Sequence, residues 1–165
     1  MQRVLLTVIS LGLSLLSSTL LLTAMCTNNW IVRPTVWGNY YEGLQKFCLL
    51  SKCESLQRDW VYNVFVLGFL SLGAVAGFTC NILSLLVQIC GKKELMHRFV
   101  RNAGLLSVMG TMIGMSVYTG RYTRNFPLAF HGWSFFLAWC CFPLSLAAAT
   151  IAMVNEIFHK REEAS

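Results

Sequence analysis

The chain has 165 residues, of which 56% are hydrophobic and only 12% charged, with a mean hydropathy of +0.59. Such a composition excludes an ordinary water-soluble domain of this size and marks an integral membrane protein. The lipid bilayer is its first partner, and no nucleic acid is expected to bind despite a formal net charge of +6.

A helix needs about 20 mostly apolar residues to cross the roughly 30 Å hydrocarbon core. Four stretches meet that condition: 4–25, 61–90, 99–118 and 133–154. None carries an acidic or basic residue in its interior, and Arg101 falls in the first turn of the third. The first stretch follows Arg3 and invites comparison with a cleaved signal peptide. Its apolar run exceeds the roughly 7–15 residues of such a peptide, however, and no A-x-A-like site follows. The second stretch is about 45 Å long as a helix, half as long again as the core, so residues 61–64 are expected to project from the membrane. A single four-span domain results, with outer loops 27–60 and 119–132, a turn at 91–98, a tail at 155–165 and both termini on one side.

Lysine and arginine near the span ends decide which side that is. Seven basic residues flank the termini and the 91–98 turn (Arg3, Lys92, Lys93, Arg98, Arg101, Lys160 and Arg161) and six lie in the two loops opposite. The count is nearly even, whereas the density around Lys92 favours the cytosol for the turn and the termini. The stretch GLQKFCLLSKCES, residues 43–55, points the same way. Cys48 and Cys53 are a pair outside the apolar stretches, and a disulfide persists only in an oxidising compartment. Four residues between them suit a tight hairpin with facing cysteines. The other reading is a pair of free or metal-binding thiols, although no further Cys/His set at ligand spacing accompanies them. A bonded pair places residues 27–60 outside the cell and the protein in the plasma membrane.

Trp30 just after the first span, Gly43-Leu44, then Cys48 and Cys53, in a four-span chain of this length, resemble the claudin superfamily and its loop signature W…G-L-W…C…C. The short C-x4-C spacing, Tyr118-Thr119-Gly120 at the end of the third span, and Trp133-Ser134-Phe135 with Trp139 opening the fourth look most like its peripheral myelin, epithelial and lens fibre membrane protein branch. Gln45 stands where the signature has its second tryptophan. The resemblance implies an all-α four-transmembrane-helix bundle carrying a small extracellular antiparallel β-sheet, with Trp30 and Leu44 at the membrane surface beneath it. Trp37, Tyr40 and Tyr41 are then the candidates to take over the missing ring's place at the headgroup level. Val36, Tyr40/Tyr41 and Phe47 offer β-prone runs for the sheet, punctuated by Pro34, Gly38 and Gly43.

Small residues recur at helical spacing in every span: Ser10, Ser14 and Ser18; Gly73 and Gly77; Gly110 and Gly114; Ala148 and Ala152. Such seams serve either homodimerisation or packing within the bundle, and the presence of one on every helix favours the second. Asn81 is expected to bond a neighbouring helix rather than a substrate. No span carries an acid, base or histidine at depth, which disfavours ion-coupled transport. The histidines, His97, His131 and His159, lie in connections or the tail with no nucleophile or ligand set beside them. Neither an enzyme nor a cofactor or metal is expected. Cys90, before Gly91-Lys92-Lys93, is a candidate palmitoylation site or a reduced thiol facing lipid.

Three functions fit. The first is a non-enzymatic tetraspan protein acting through extracellular-loop contacts in cell adhesion, junctions or membrane organisation. The second is an auxiliary subunit of an ion channel or receptor, and the third a claudin-like paracellular barrier or pore former. The tail ends Glu-Ala-Ser rather than in the apolar residue a PDZ groove receives, which weighs against the third. Lys46, Lys52, Glu54 and Arg58 gather polarity in the one stapled loop and are the candidate recognition residues, a solvated lid being the plain alternative. Other membrane proteins, or a second copy of the chain, are the partners expected there or on the helix faces.

Overall fold

The computed structural model describes residues 2–36, 38–49, 52–55, 60–90, 94–125 and 130–163. Four long helices carry the apolar stretches: α1 (Gln2–Cys26), α2 (Trp60–Cys90), α3 (Glu94–Asn125) and α4 (Trp133–Glu163). Between them lie β1 (Ile31–Thr35), β2 (Gly38–Glu42), β3 (Lys46–Leu49), β4 (Lys52–Ser55) and β5 (Phe130–His131). The helices form a four-sided bundle in which α2 packs most extensively on α3 and α1 on α4. One antiparallel sheet, ordered β4-β3-β2-β1-β5, caps the end where α1 finishes and α4 begins.

The bundle is apolar on its outside. Val75, Ile82, Met109 and Phe136 are each more than half exposed, in a chain whose fully buried positions include Ser134 and Thr111. In water this distribution would be unstable; in hydrocarbon it is the expected one, because lipid gives helices no hydrophobic reason to hide leucine. All four helices are long and apolar enough to span a membrane.

Small residues bring the helix backbones together. A Cβ at Gly110 would stand 2.9 Å from the Phe69 carbonyl oxygen and 3.1 Å from Gly73 Cα, so α2 and α3 touch backbone to backbone where their glycine motifs cross. The motifs are thus spent within the bundle. Serine hydroxyls add bonds across the other seam: Ser10 donates to the Ala148 carbonyl at 2.9 Å, and Ser17 donates to the Cys141 carbonyl at 2.9 Å and meets Ser145 at 2.7 Å. At the end away from the sheet, Arg101 lies 3.7 Å from Glu156, and the Asn155 amide donates to Thr7 at 2.9 Å.

Several features depart from the sequence reading. α3 and α4 continue well past residues 99–118 and 133–154, since hydropathy marks where a helix meets lipid and not where it stops. Arg101 is consequently not in the first turn of α3. Asn81 is buried, yet neither atom of its amide has a hydrogen-bond partner among the described residues, so the expected interhelical bond is not made. Pro34 lies inside β1 and Val36 in the turn after it. Proline is tolerated there because, among the described residues, β5 pairs only with Ile31 and Val32, and the far end of β1 has no second neighbour for which a missing N–H would cost a ladder bond.

Candidate functional site

The distinctive surface is the sheet and the joint that fixes it to the bundle. Trp30 is fully buried in that joint. Its indole N–H donates to the Ala24 carbonyl in the last turn of α1 at 2.7 Å, and its ring meets Tyr118 of α3 edge-on at 4.9 Å. Tyr118 in turn lies 6.1 Å from Phe135 of α4. Main-chain bonds run through the same residue, from Trp30 N–H to Glu42 and from Gly132 N–H to the Trp30 carbonyl, each 3.0 Å. Leu44 is buried in this cluster, whereas Gln45 is exposed.

Two glycines allow the chain segments to approach. A Cβ at Gly43 would stand 2.8 Å from Asn28 Cα, and one at Gly132 would stand 1.9 Å from the Asn29 carbonyl oxygen. Gly43 belongs to the loop motif, while Gly132 belongs to no motif. Its only signal is adjacency to the Trp133 that opens α4.

Register assigns each strand residue to a face. Ile31, Arg33, Tyr40, Glu42, Phe47, Leu49, Lys52, Glu54 and His131 share one face, and Lys46, Cys48, Cys53, Ser55 and Tyr41 the other. On the first face Arg33 bonds Glu42 at 3.2 Å and lies 5.5 Å from the Tyr40 ring centre, and Tyr40 stacks on Phe47 at 5.8 Å. Burial pushes the Glu42 carboxyl above its ordinary range, and the pull of Arg33 does not fully offset it. His131 packs 4.1 Å from Phe135, and burial holds its imidazole below the ordinary value.

Cys48 and Cys53 are disulfide-bonded across the β3–β4 hairpin, and the Asn28 amide reaches Cys48 Sγ at 3.7 Å. The candidate recognition residues do not form one patch. Lys52 and Glu54 share a face of the end strand β4; Lys46 lies on β3 and the opposite face. Arg58 and Trp37 lie outside the described residues. Cys90 ends α2, and its side chain also lies outside what is described. No group of three or more His, Cys, Asp or Glu positioned to hold a metal occurs among the described residues.

Four apolar spans, a five-stranded sheet at one end of the bundle and a buried tryptophan joining them define a multi-pass membrane protein of the tetraspan, claudin-like class. The chain belongs to the PMP-22/EMP/MP20/Claudin family, whose model matches residues 2–152. Comparison with individual curated proteins gives no match.

Proposed function

We propose that this protein is a non-enzymatic organiser of the plasma membrane, acting in adhesion or junctions through contacts made by its sheet outside the cell, with both termini in the cytosol. The observation that carries this reading is the position of β4. It is the terminal strand of the sheet, all four of its residues are exposed, and it bears Lys52 and Glu54 beside the disulfide. An edge strand of this kind offers unpaired backbone groups for affinity and side chains for selection. The spans, by contrast, present apolar side chains to lipid and have no ionisable cluster at depth on which to run transport or chemistry.

Reversing Lys46 and Lys52 to glutamate tests the reading. Expression, disulfide formation and surface delivery should persist while cell clustering and recovery of extracellular partners fall. If the variant clusters and co-purifies like the wild type, the sheet is a lid. Lateral contacts of the helices, such as an auxiliary subunit of a channel or receptor makes, then carry the function.

A further inference from the structure

We infer that Asn81 holds an internal water site inside the bundle, where bound water bridges its side-chain amide to the hydroxyls of Ser18 and Ser107 and so links three helices. The site is independent of what the sheet binds.

Asn81 is 3% exposed, and neither its Oδ1 nor its Nδ2 has a hydrogen-bond partner among the described residues. An amide buried with both ends unbonded is costly, and most of all within a membrane, where bulk water is absent. The polar groups that can answer it lie one turn away. A Cβ at Gly77 would stand 2.5 Å from Ser18 Oγ of α1 and 3.1 Å from Ser107 Oγ of α3, so both hydroxyls crowd the face of α2 that Gly77 leaves bare. Asn81 follows Gly77 by four residues, which puts it on the same face about 6 Å further along the helix. The Cα–Cβ bond of a helical residue tilts towards the N-terminus of its helix, so the Asn81 side chain leans back towards that pair of hydroxyls. It is aimed at them and bonds neither, a spacing that suits a bridging water.

Donor and acceptor accounting names the ligand. Ser18 gives its hydroxyl proton to the Ser14 carbonyl at 2.9 Å, and Ser107 gives its own to the Gly73 carbonyl at 2.8 Å. Both oxygens keep lone pairs but have no proton left for Asn81. Oδ1 needs a donor and Nδ2 needs an acceptor, so whatever joins them to the serines has to donate and accept together. Water does both. A metal cation cannot accept the Nδ2 protons, and α1 and α2 carry no acidic residue to balance its charge. Size points the same way, because Ser18 and Ser107 are buried like Asn81 and the site is closed to a sterol or a lipid headgroup. Beside Asn81, Cys80 faces Gly104 of α3, where an added Cβ would meet no other helix nearer than 3.6 Å. The bundle is loosely filled at this level, as a buried water requires. α2 packs most extensively on α3 and α1 on α4, so a bridge from Asn81 to Ser18 ties one helix pair to the other.

The test uses full-length protein labelled with 15N-asparagine in lipid nanodiscs and measures magnetisation transfer to the side-chain amide protons by NMR. Asn81→Leu deletes one amide signal and so identifies it. The expected result is direct dipolar transfer from water to that signal, distinguished by its sign from proton exchange. Ser18→Ala combined with Ser107→Ala should abolish the transfer while the amide signal remains. Recovery of the oxidised Cys48–Cys53 peptide and an unchanged pattern of the other asparagine signals check that each variant is folded. Absence of dipolar transfer from water in the wild type overturns the proposal, as does transfer from lipid protons or by exchange alone. Transfer that persists undiminished in a folded double-serine variant overturns the bridge to Ser18 and Ser107.

Discussion

The indole N–H of Trp30 donates to the Ala24 carbonyl at 2.7 Å, fastening the residue before β1 to the helix that precedes it. Thr27 also donates to that carbonyl, from its backbone at 3.4 Å and its hydroxyl at 3.0 Å, so the acceptor keeps partners if the indole is lost. Trp30→Phe should therefore lower stability by only about 1–2 kcal/mol, the net worth of a hydrogen bond with a small packing loss. Trp30→Ala should cost about 3–5 kcal/mol, because it empties a fully buried site. Thermal unfolding in detergent separates the two, and equal losses would show that the bond, not the ring, holds the joint.

Gly132→Ala should be among the most damaging single-methyl changes in the chain. The added carbon would overlap the Asn29 carbonyl, a backbone atom that moves only if β1 or the start of α4 moves with it. A loss of about 1–3 kcal/mol or more is expected, as for other overpacked sites. Gly12→Ala is the control: nothing lies within 4 Å of its Cβ position in α1. In a helix interior that change should stabilise by about 0.5–1 kcal/mol. Ranking both variants by melting temperature checks the pair.

Acidification should loosen the sheet at β5. Burial against Phe135 lowers the affinity of folded His131 for a proton, so below about pH 6.5 the unfolded chain binds more protons than the folded one. Stability consequently falls as pH drops through that region. Glu42 works in the opposite sense, since its raised folded affinity relieves a cost as pH falls towards its own range. Comparison with His131→Gln isolates the histidine. Between pH 7.5 and 5.5 the wild type should lose more melting temperature than the variant, and parallel curves would refute this.

Ser55→Pro should block the edge without harming the hairpin. Ser55 is exposed, and alternation from the Cys48–Cys53 pair turns its N–H away from β3. Proline there removes a donor that β3 does not use. The disulfide should form and stability change by less than about 1 kcal/mol. Clustering and partner recovery should fall. Unchanged clustering would mean that recognition does not run along this strand edge.

The spans were readable because a run of about 20 apolar residues has few other uses. The staple was readable because Cys48 and Cys53 stand in polar sequence. Less visible were contacts that depend on the meeting of distant segments. Gly132 looks like any glycine before a helix, and only the nearby Asn29 carbonyl makes it irreplaceable. Lys46 and Lys52 read as one charged cluster, and only the register sends them to opposite faces. Asn81 illustrates the reverse: the expectation that a buried amide finds a partner is sound chemistry, but which residue faces it depends on helix rotation, which no local pattern encodes.

The pairing of α1 with α4 sets an order on biosynthesis. The serine bonds of that seam, from Ser17 to the Cys141 carbonyl, span 124 residues. β5 joins β1 from a position just ahead of α4. While the ribosome is still making the middle of the chain, α2 and α3 can close as a hairpin and Ser18 of α1 can pack on Gly77 of α2, but Ser10 and Ser17 have no α4 carbonyl to bond. The helix synthesised last completes both the bundle and the sheet, so a chain truncated before α4 retains two open seams. Such a chain lacks the acceptors of Ser10 and Ser17 on α4 and differs from the finished molecule at that seam.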